Sequence, residues 1–482
     1  MKLKSIFIDI ELEDSIKNLD VTNLTFDSRD VTNGSVFFCL SGGNADGHAF
    51  AYDAEKRGAV AIVATQQTAS TLPHILVEDT RASLSLASSM FFGEPSKKLT
   101  MIGITGTNGK TTTTYIVESI LKAAGIKTGV IGTTAIIIDG VRLETKLTTP
   151  DPTDFHAILA RMVEVGVTHV VMEVSAHALA LKKMEGVQFE VSAFTNLSRD
   201  HLDFFGTMEN YYNAKTQLFS PKLSKFCVLN ADDEWVAKFI SECSISHYTF
   251  GFNNPADIFA IDLKQSAGGL SYILNLSDDI TEIKFNMPGK FNAYNTLCAA
   301  TIAKRLSIPL KAIVEGIRNI KKVDGRFQII NTSKCSVIVD FAHTDDGLIN
   351  ILSTIREFTP NNRIITVFGC GGDRDKTKRP VMGDIVSKHS DFFFITSDNP
   401  RTENPDNIIA DVARGVPKNR CDYMRLITDR KEAIRKAVEF AEDGDVVLVA
   451  GKGAEPYIDI AGVKIPYSDE EFILEVIEEQ KL

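Results

Sequence analysis

Short apolar runs alternate with helix-like stretches along most of this chain, and that rhythm restricts the fold more than any other feature. Met101 to Ile104, Val170 to Met172, Ile364 to Phe368, Phe392 to Ile395 and Val446 to Val449 are such runs, each bounded by Gly, Asn or Asp. A strand that is apolar on both faces must be covered on both faces, as helices cover a parallel sheet. The expected class is therefore α/β. At 482 residues the chain is longer than one core usually supports. Three segments are expected: residues 1–98, 99–329 and 330–482. The first ends at Gly93-Glu94-Pro95-Ser96-Lys97-Lys98, read as a linker; the second opens on a strand before a glycine-rich loop; the third includes the strand Ser336 to Val339.

Charge narrows the function. Lys and Arg number 52 against 63 Asp and Glu, a net −11, the wrong sign for a generic nucleic-acid coat. An anionic ligand must then be met by local positive groups. The apolar stretch near Met1 is broken too early for a signal peptide, and no run is long enough to span a bilayer. The seven cysteines form no CxxC pair and are odd in number, which argues for reduced thiols and a cytoplasmic protein.

Gly103-Ile104-Thr105-Gly106-Thr107-Asn108-Gly109-Lys110-Thr111-Thr112 joins an apolar strand to a helix pattern. Glycines let successive N–H groups turn toward an anion, and a helix N-terminus adds partial positive charge. Lys110 can then reach the β- and γ-phosphates while the Thr111 hydroxyl meets Mg²⁺. Ile104 stands where a strict Walker loop has its first glycine. A magnesium nucleotide needs an acid at a neighbouring strand end, and Glu173 closes the run Val170-Val171-Met172. His201, after Asn196-Leu197-Ser198-Arg199-Asp200, is a further candidate ligand.

The glycine-rich loop, Met172-Glu173-Val174-Ser175, Arg199-Asp200-His201-Leu202-Asp203 and Asn213-Ala214-Lys215 together resemble the Mur ligases of cell-wall synthesis. The likeness spans the whole chain, from Asp27-Ser28-Arg29 to Gly451-Lys452-Gly453, and is nearest the type acting on UDP-N-acetylmuramoyl-L-alanyl-D-glutamate. It implies an N-terminal UDP-binding α/β domain, a central P-loop ATPase domain and a C-terminal Rossmann-like domain. It also implies ATP-driven peptide-bond formation through an acyl phosphate, by a monomer, with ATP and Mg²⁺. By the same likeness Gly106, Thr107, Asn108, Gly109, Lys110, Thr111, Thr112, Asn292, Asn295, Arg326, Asp340 and His343 bind ATP, Asp340 at the ribose. Thr111, Glu173, His201 and Lys215 are the metal positions, Lys215 as a carbamylated lysine; Lys110, Glu173, His201 and Lys215 are the catalytic set. From sequence alone Lys215 reads as a surface helix lysine. Ser28 falls near the uridine part, and Thr148, Thr149, Ser175 and Lys183 near the muramoyl peptide.

The acceptor can be read from three loops that follow apolar runs: Gly369 to Arg374, Ser397 to Arg401 and Gly451 to Glu455. In a parallel sheet such strand ends share one edge, where ligands bind. Arg374 occupies the last glycine position of a dinucleotide fingerprint, which excludes that reading. An amino acid is a zwitterion and needs Arg for its carboxylate and an acid for its ammonium. Arg374 and Arg401 are the two arginines at these loops; Arg401 beside Asp398 and Asn399 suits the second zwitterionic centre of meso-diaminopimelate, and the resemblance adds Gly451 and Glu455 to that ligand. Ala454, Phe341, Phe205, Ala176, Lys183 and Asp345 depart from the family's usual residues. They leave room for L-lysine or another amino acid as acceptor. A folylpolyglutamate-synthase-like ligase is disfavoured by Asp27-Ser28-Arg29, and a nucleotide switch by the lack of an Asn-Lys-x-Asp segment.

Overall fold

The computed structural model describes residues 1–42, 45–145 and 147–481. Three α/β units follow one another. The first carries a parallel sheet in the order Asn23–Thr25, Ser35–Phe38, Ala59–Ala64, His74–Leu76. Helix Thr80–Phe91 follows it, capped by Asp79, whose carboxylate accepts from the Arg81 and Ala82 amides. Asp79 also pairs with Lys182 of the second unit at 2.7 Å, and Ser85 Oγ donates to the Lys182 carbonyl at 2.7 Å. The expected linker is not a loose tether. It winds into a 3₁₀ turn, Pro95–Lys98, with Pro95 and Ser96 buried.

The second unit is built on eleven strands. Six form its parallel centre, in the order His247–Gly251, Cys227–Asn230, Val191–Phe194, Thr100–Thr105, His169–Glu173, Thr128–Ile131. Hairpin strands extend both edges. Helix Lys110–Ala123 lies against helices Lys290–Arg305 and Leu310–Asn319. Gly316 permits that approach, because a Cβ there would sit 2.3 Å from Ile120 Cα. Ile116, Ile120, Leu297 and Ile317, all fully buried, join the core so formed. Close packing of this kind fixes where the helix begins, and hence where the loop before it stands.

The third unit orders its strands Gln328–Asn331, Ser336–Asp340, Val446–Ala450, Ile364–Phe368, Phe392–Ile395, Met424–Leu426, antiparallel only at Gln328–Asn331. The junction expected at residue 329 therefore falls inside a strand, because that strand pairs with Ser336–Asp340 rather than with the second sheet. Several apolar runs extend by a residue or two as strands, since ladder hydrogen bonds continue past the last apolar side chain. Among the described residues no helix is long and apolar enough to cross a membrane.

Candidate active site

The strand Thr100–Thr105 lies between His169–Glu173 and Val191–Phe194, so three C-terminal strand ends open on one edge. Gly106 and Gly109 make the turn from strand to helix at φ +148° and +84°. Each is also pressed by a neighbour: a Cβ on Gly106 would meet Thr195 Oγ1 at 1.9 Å, and one on Gly109 would meet Asn295 Oδ1 at 2.3 Å. Asn196 Oδ1 accepts from the Asn108 amide at 2.9 Å, and Thr107 Oγ1 donates to the Ser198 carbonyl at 3.1 Å. Thr112 is buried in the first helical turn. Lys110 folds back over the loop, donating to the carbonyls of Gly106 at 3.0 Å and Thr107 at 2.8 Å. Burial lowers the pKa of its ammonium, while Glu173 and Asp200 act to keep the proton on. A phosphate arriving at the loop would supply the counter-charge that this amine lacks.

Beside the loop, Glu173 is 1% exposed and accepts three bonds: Thr111 Oγ1 at 3.1 Å, the Thr133 amide at 2.8 Å and Thr133 Oγ1 at 3.0 Å. Arg326 donates to the same Thr111 hydroxyl at 2.9 Å. Thr111 and Glu173 are hard oxygen donors at the loop's end, a set that fits Mg²⁺, which takes few protein ligands beside phosphate oxygens and water. Among the described residues no group of three or more His, Cys, Asp or Glu converges as a cage.

Lys215 is not on the surface. It is 1% exposed, its Nζ donates to the Gly106 carbonyl at 2.7 Å and it lies 4.4 Å from the Tyr211 ring. Helix Met208–Thr216 runs in from Thr207, whose side chain caps it, and carries the lysine behind the loop. Burial, then the nearby Lys110, hold its amine well below the usual lysine range. His201 stands in a left-handed conformation, φ +55°. Its Nε2 is 3.3 Å from Asp200, and burial pushes its pKa down to about 3.

Asp200 itself was given no role by sequence, yet it joins two units. It is 6% exposed, with His343 Nε2 at 3.6 Å and Lys378 Nζ at 3.5 Å, both from the third unit. Burial works against its charge, but His343, Lys378 and His201 hold it well below the ordinary carboxylate range. Arg199 reaches Asp375 at 3.2 Å and also Thr377, while Asn108 donates to Asp346 at 2.9 Å. The signal was available, because Asp200 sits inside the Arg199-to-Asp203 motif.

Among the residues expected to bind ATP, Asn295 Nδ2 donates to Asn292 Oδ1 at 3.2 Å, and Asn292 Nδ2 to the Pro288 carbonyl at 2.7 Å. Asp340 accepts from the amides of Phe327 and Ala342, each at 2.7 Å, and burial raises its pKa against the pull of Arg326. The Arg326 guanidinium stacks over Phe341 at 4.4 Å. Thr149 Oγ1 donates to the Glu173 carbonyl at 2.9 Å and accepts from the Ser175 amide at 3.1 Å; Thr148 Oγ1 is 3.1 Å from Thr133 Oγ1. Lys183 is paired with Asp151 at 2.8 Å. Ser28 stands apart in the first unit, on the turn Ser28–Asp30 capped by Asp27.

The three loops expected to hold the acceptor come together. Arg401 makes no ion pair with Asp398. Its backbone is left-handed, φ +49°, and bridges Ile460; its Nη1 donates to the Gly372 carbonyl at 2.6 Å and its Nε is 3.9 Å from Asp459. Lys452, fully buried and overlooked by sequence despite lying in Gly451-Lys452-Gly453, serves the acids instead. Its Nζ is 2.5 Å from Glu455 Oε2, 3.1 Å from Asn399 Oδ1 and 3.8 Å from Asp398. Asn399 Nδ2 donates to the same Glu455 oxygen at 2.8 Å. Gly451, at φ +114°, leaves room for Asp398, whose Oδ2 would be 2.7 Å from a Cβ there. Arg374 Nη1 donates to the Asp373 carbonyl at 3.0 Å. Burial and then Arg401 lower its pKa, with Asp203 and Asp200 of the second unit opposing. Gly325, just before Arg326, abuts this loop: a Cβ there would lie 2.0 Å from the Ala454 nitrogen.

A phosphate-type loop beside paired oxygen donors, near a second sheet edge that carries arginines and acids, is the arrangement of a nucleotide-dependent enzyme. Family models match along the chain: the Mur ligase family catalytic domain over residues 20–87, the Mur ligase middle domain over 104–303, and the Mur ligase glutamate ligase domain over 325–453. A UDP-N-acetylmuramoyl-L-alanyl-D-glutamate–2,6-diaminopimelate ligase of Clostridium perfringens is 42% identical over 490 residues, covering 99% of this chain and all of that one. The ligase of the same name from Bacillus licheniformis is 42% identical over 470 residues, 96% of each chain. A solved structure of a ligase with this name superposes at TM-score 0.70 with 30% identity, covering 100% of this chain and 99% of the other. The chain belongs to the Mur ligase family.

Proposed function

We propose that the protein joins meso-diaminopimelate to the D-glutamate of UDP-N-acetylmuramoyl-L-alanyl-D-glutamate, using ATP, in the cytoplasm and as a monomer. Residues 1–98 hold the uridine end with Ser28, 99–329 the ATP, and 330–482 the acceptor. A carboxylate is a poor electrophile until one oxygen becomes a good leaving group. Its oxygen attacks the γ-phosphorus, ADP departs, and the acceptor amine then displaces phosphate from the acyl carbon. Bringing two anions together requires Lys110 at the phosphates. Thr111, Glu173 and His201 would hold Mg²⁺, which would supply further charge neutralisation there. Thr148, Thr149, Ser175 and Lys183 line the path of the peptide. Asn292 and Asn295 meet the adenine, with Arg326, Asp340 and His343 on the rest of the nucleotide.

Lys215 is carbamylated in this reading. Its support is the deep burial and lowered basicity of the amine, since the neutral amine is the form that adds CO₂ and releases a proton. The anion so made would complete the metal set.

The observation that carries the acceptor is the meeting of Arg374 and Arg401 with Asp398, Asn399 and Glu455 at one sheet edge, reinforced by the names of the relatives. Lysine lacks the distal carboxylate that the arginines await. The test is ADP release and product mass with the UDP-muramoyl dipeptide and each amino acid in turn. Diaminopimelate should give a new amide with one ADP per bond. Faster turnover with L-lysine would overturn the acceptor, and no amide with any amine would overturn the whole reading.

A further inference from the structure

Two thiols far apart in sequence role lie together on the side of the central sheet away from the phosphate loop. Cys227 opens the strand Cys227–Asn230, and Cys243 ends the helix Val236–Glu242; their sulfurs are 3.7 Å apart. Cys227 is fully buried and Cys243 half-buried. We propose that Cys243 and Cys227 form a peroxide-reactive dithiol that closes reversibly to a disulfide. Only one of the pair is reachable from solvent, so the order of events follows from burial. Cys243 sulfur attacks one oxygen of a hydroperoxide, giving a sulfenic acid and releasing water or alcohol. Cys227 then attacks that sulfur, its proton leaving with the hydroxyl as a second water. The two thiols are oxidised by two electrons in all, and the peroxide O–O bond is reduced.

Local chemistry agrees with that order. The bond to Cys227 lowers the Cys243 thiol to about 6, with His247 adding to the effect, while the same bond and burial raise Cys227. Ionisation therefore favours Cys243, the reachable sulfur, over Cys227; the thiolate is the reactive form, and a resolving thiol is already beside it. In a reducing compartment a pair of this kind serves as a transient, reversible link. The link would tie the helix to a strand whose other end, Asn230, donates to the Thr195 carbonyl at 2.8 Å; Thr195 in turn donates to the Asn108 carbonyl at 2.6 Å behind the phosphate loop.

The experiment treats the full chain with hydrogen peroxide, traps free thiols by alkylation and maps the digest by mass spectrometry. A Cys227–Cys243 linked peptide should accumulate about tenfold faster than oxidation of the exposed Cys421, and dithiothreitol should reverse it. In Cys227→Ala, a dimedone-reactive sulfenic acid should persist on Cys243. Its melting temperature shows whether that variant is folded; should it fail to fold, Cys227→Ser serves the same reading. Cys421 oxidising first, or Cys243 passing to sulfinic acid in the unmodified chain with no linked peptide, would overturn the proposal.

Discussion

The Asp200 carboxylate of the second unit lies 3.6 Å from Nε2 of His343 in the third, and His343 Nδ1 donates to the Phe341 carbonyl at 2.8 Å, which directs the other nitrogen across the boundary. Lys378 approaches the same acid from the third unit, with only 9% of its side chain exposed. Removing the acid takes the counter-charge from a buried ammonium and leaves it the His343 carbonyl at 3.1 Å. Asp200→Ala is expected to lose about 3 kcal/mol of stability, and Asp200→Asn less, measured by urea unfolding. Both should also lower kcat, because the contacts that hold the third unit beside the phosphate loop are weakened. Unchanged stability and kcat in both variants would show the contact to be incidental.

Lys110 has no carboxylate partner within the loop and holds only two carbonyls. Lys110→Ala should leave the fold intact, since nothing structural is lost but those two bonds. ADP release should fall about a thousandfold, as the γ-phosphate loses its neutralising group. Steady-state assays at saturating dipeptide check it.

Lys452 pairs with Glu455 and lies 3.8 Å from Asp398, the two acids proposed to meet the acceptor. Lys452→Met keeps the length and volume of the side chain while removing the charge. The KM for diaminopimelate should rise by about tenfold while the KM for ATP moves less than about twofold. Equal changes in both constants would mean that Lys452 supports the fold and not the acceptor.

His156, on helix Pro152–Glu164, is completely buried beside Phe155 and neither ring nitrogen has a partner. Burial depresses its pKa to about 4. Unfolded chain therefore binds the proton first as pH falls, and stability drains away between about pH 6.5 and pH 4. The loss attributable to this ring amounts to about 3 kcal/mol over that window. His156→Leu should flatten the dependence of unfolding free energy on pH there, without altering the acid limb that carboxylates such as Asp200 produce below pH 4.

Much of the fold could be read from the chain because strands buried on both faces must be apolar throughout, and Phe392–Ile395 or Val446–Ala450 cannot disguise themselves. The phosphate loop was equally legible, since its glycines and Gly-Lys-Thr-Thr ending follow from what a triphosphate demands. Contacts between units were not. Asp200 and Lys378 are 178 positions apart, and nothing local in either segment names the other. Lys215 looked like a surface residue because helical spacing says which face a residue occupies but not what later covers that face. The pairing of Lys452 with the acids went unread for a related reason, and the left-handed turn at Arg401, an unusual conformation for arginine, re-aims its guanidinium in a way no residue count reveals.

Gly325 touches the loop of Gly453 and Ala454 while its neighbour Arg326 grips Thr111. The segment between the second and third units is therefore gripped from both sides, by the Thr111 hydroxyl at the end of the phosphate loop and by the backbone of Gly453 and Ala454. A side chain at residue 325 would be felt at both edges at once, so the spacing of the two loops is set by the bareness of a single residue.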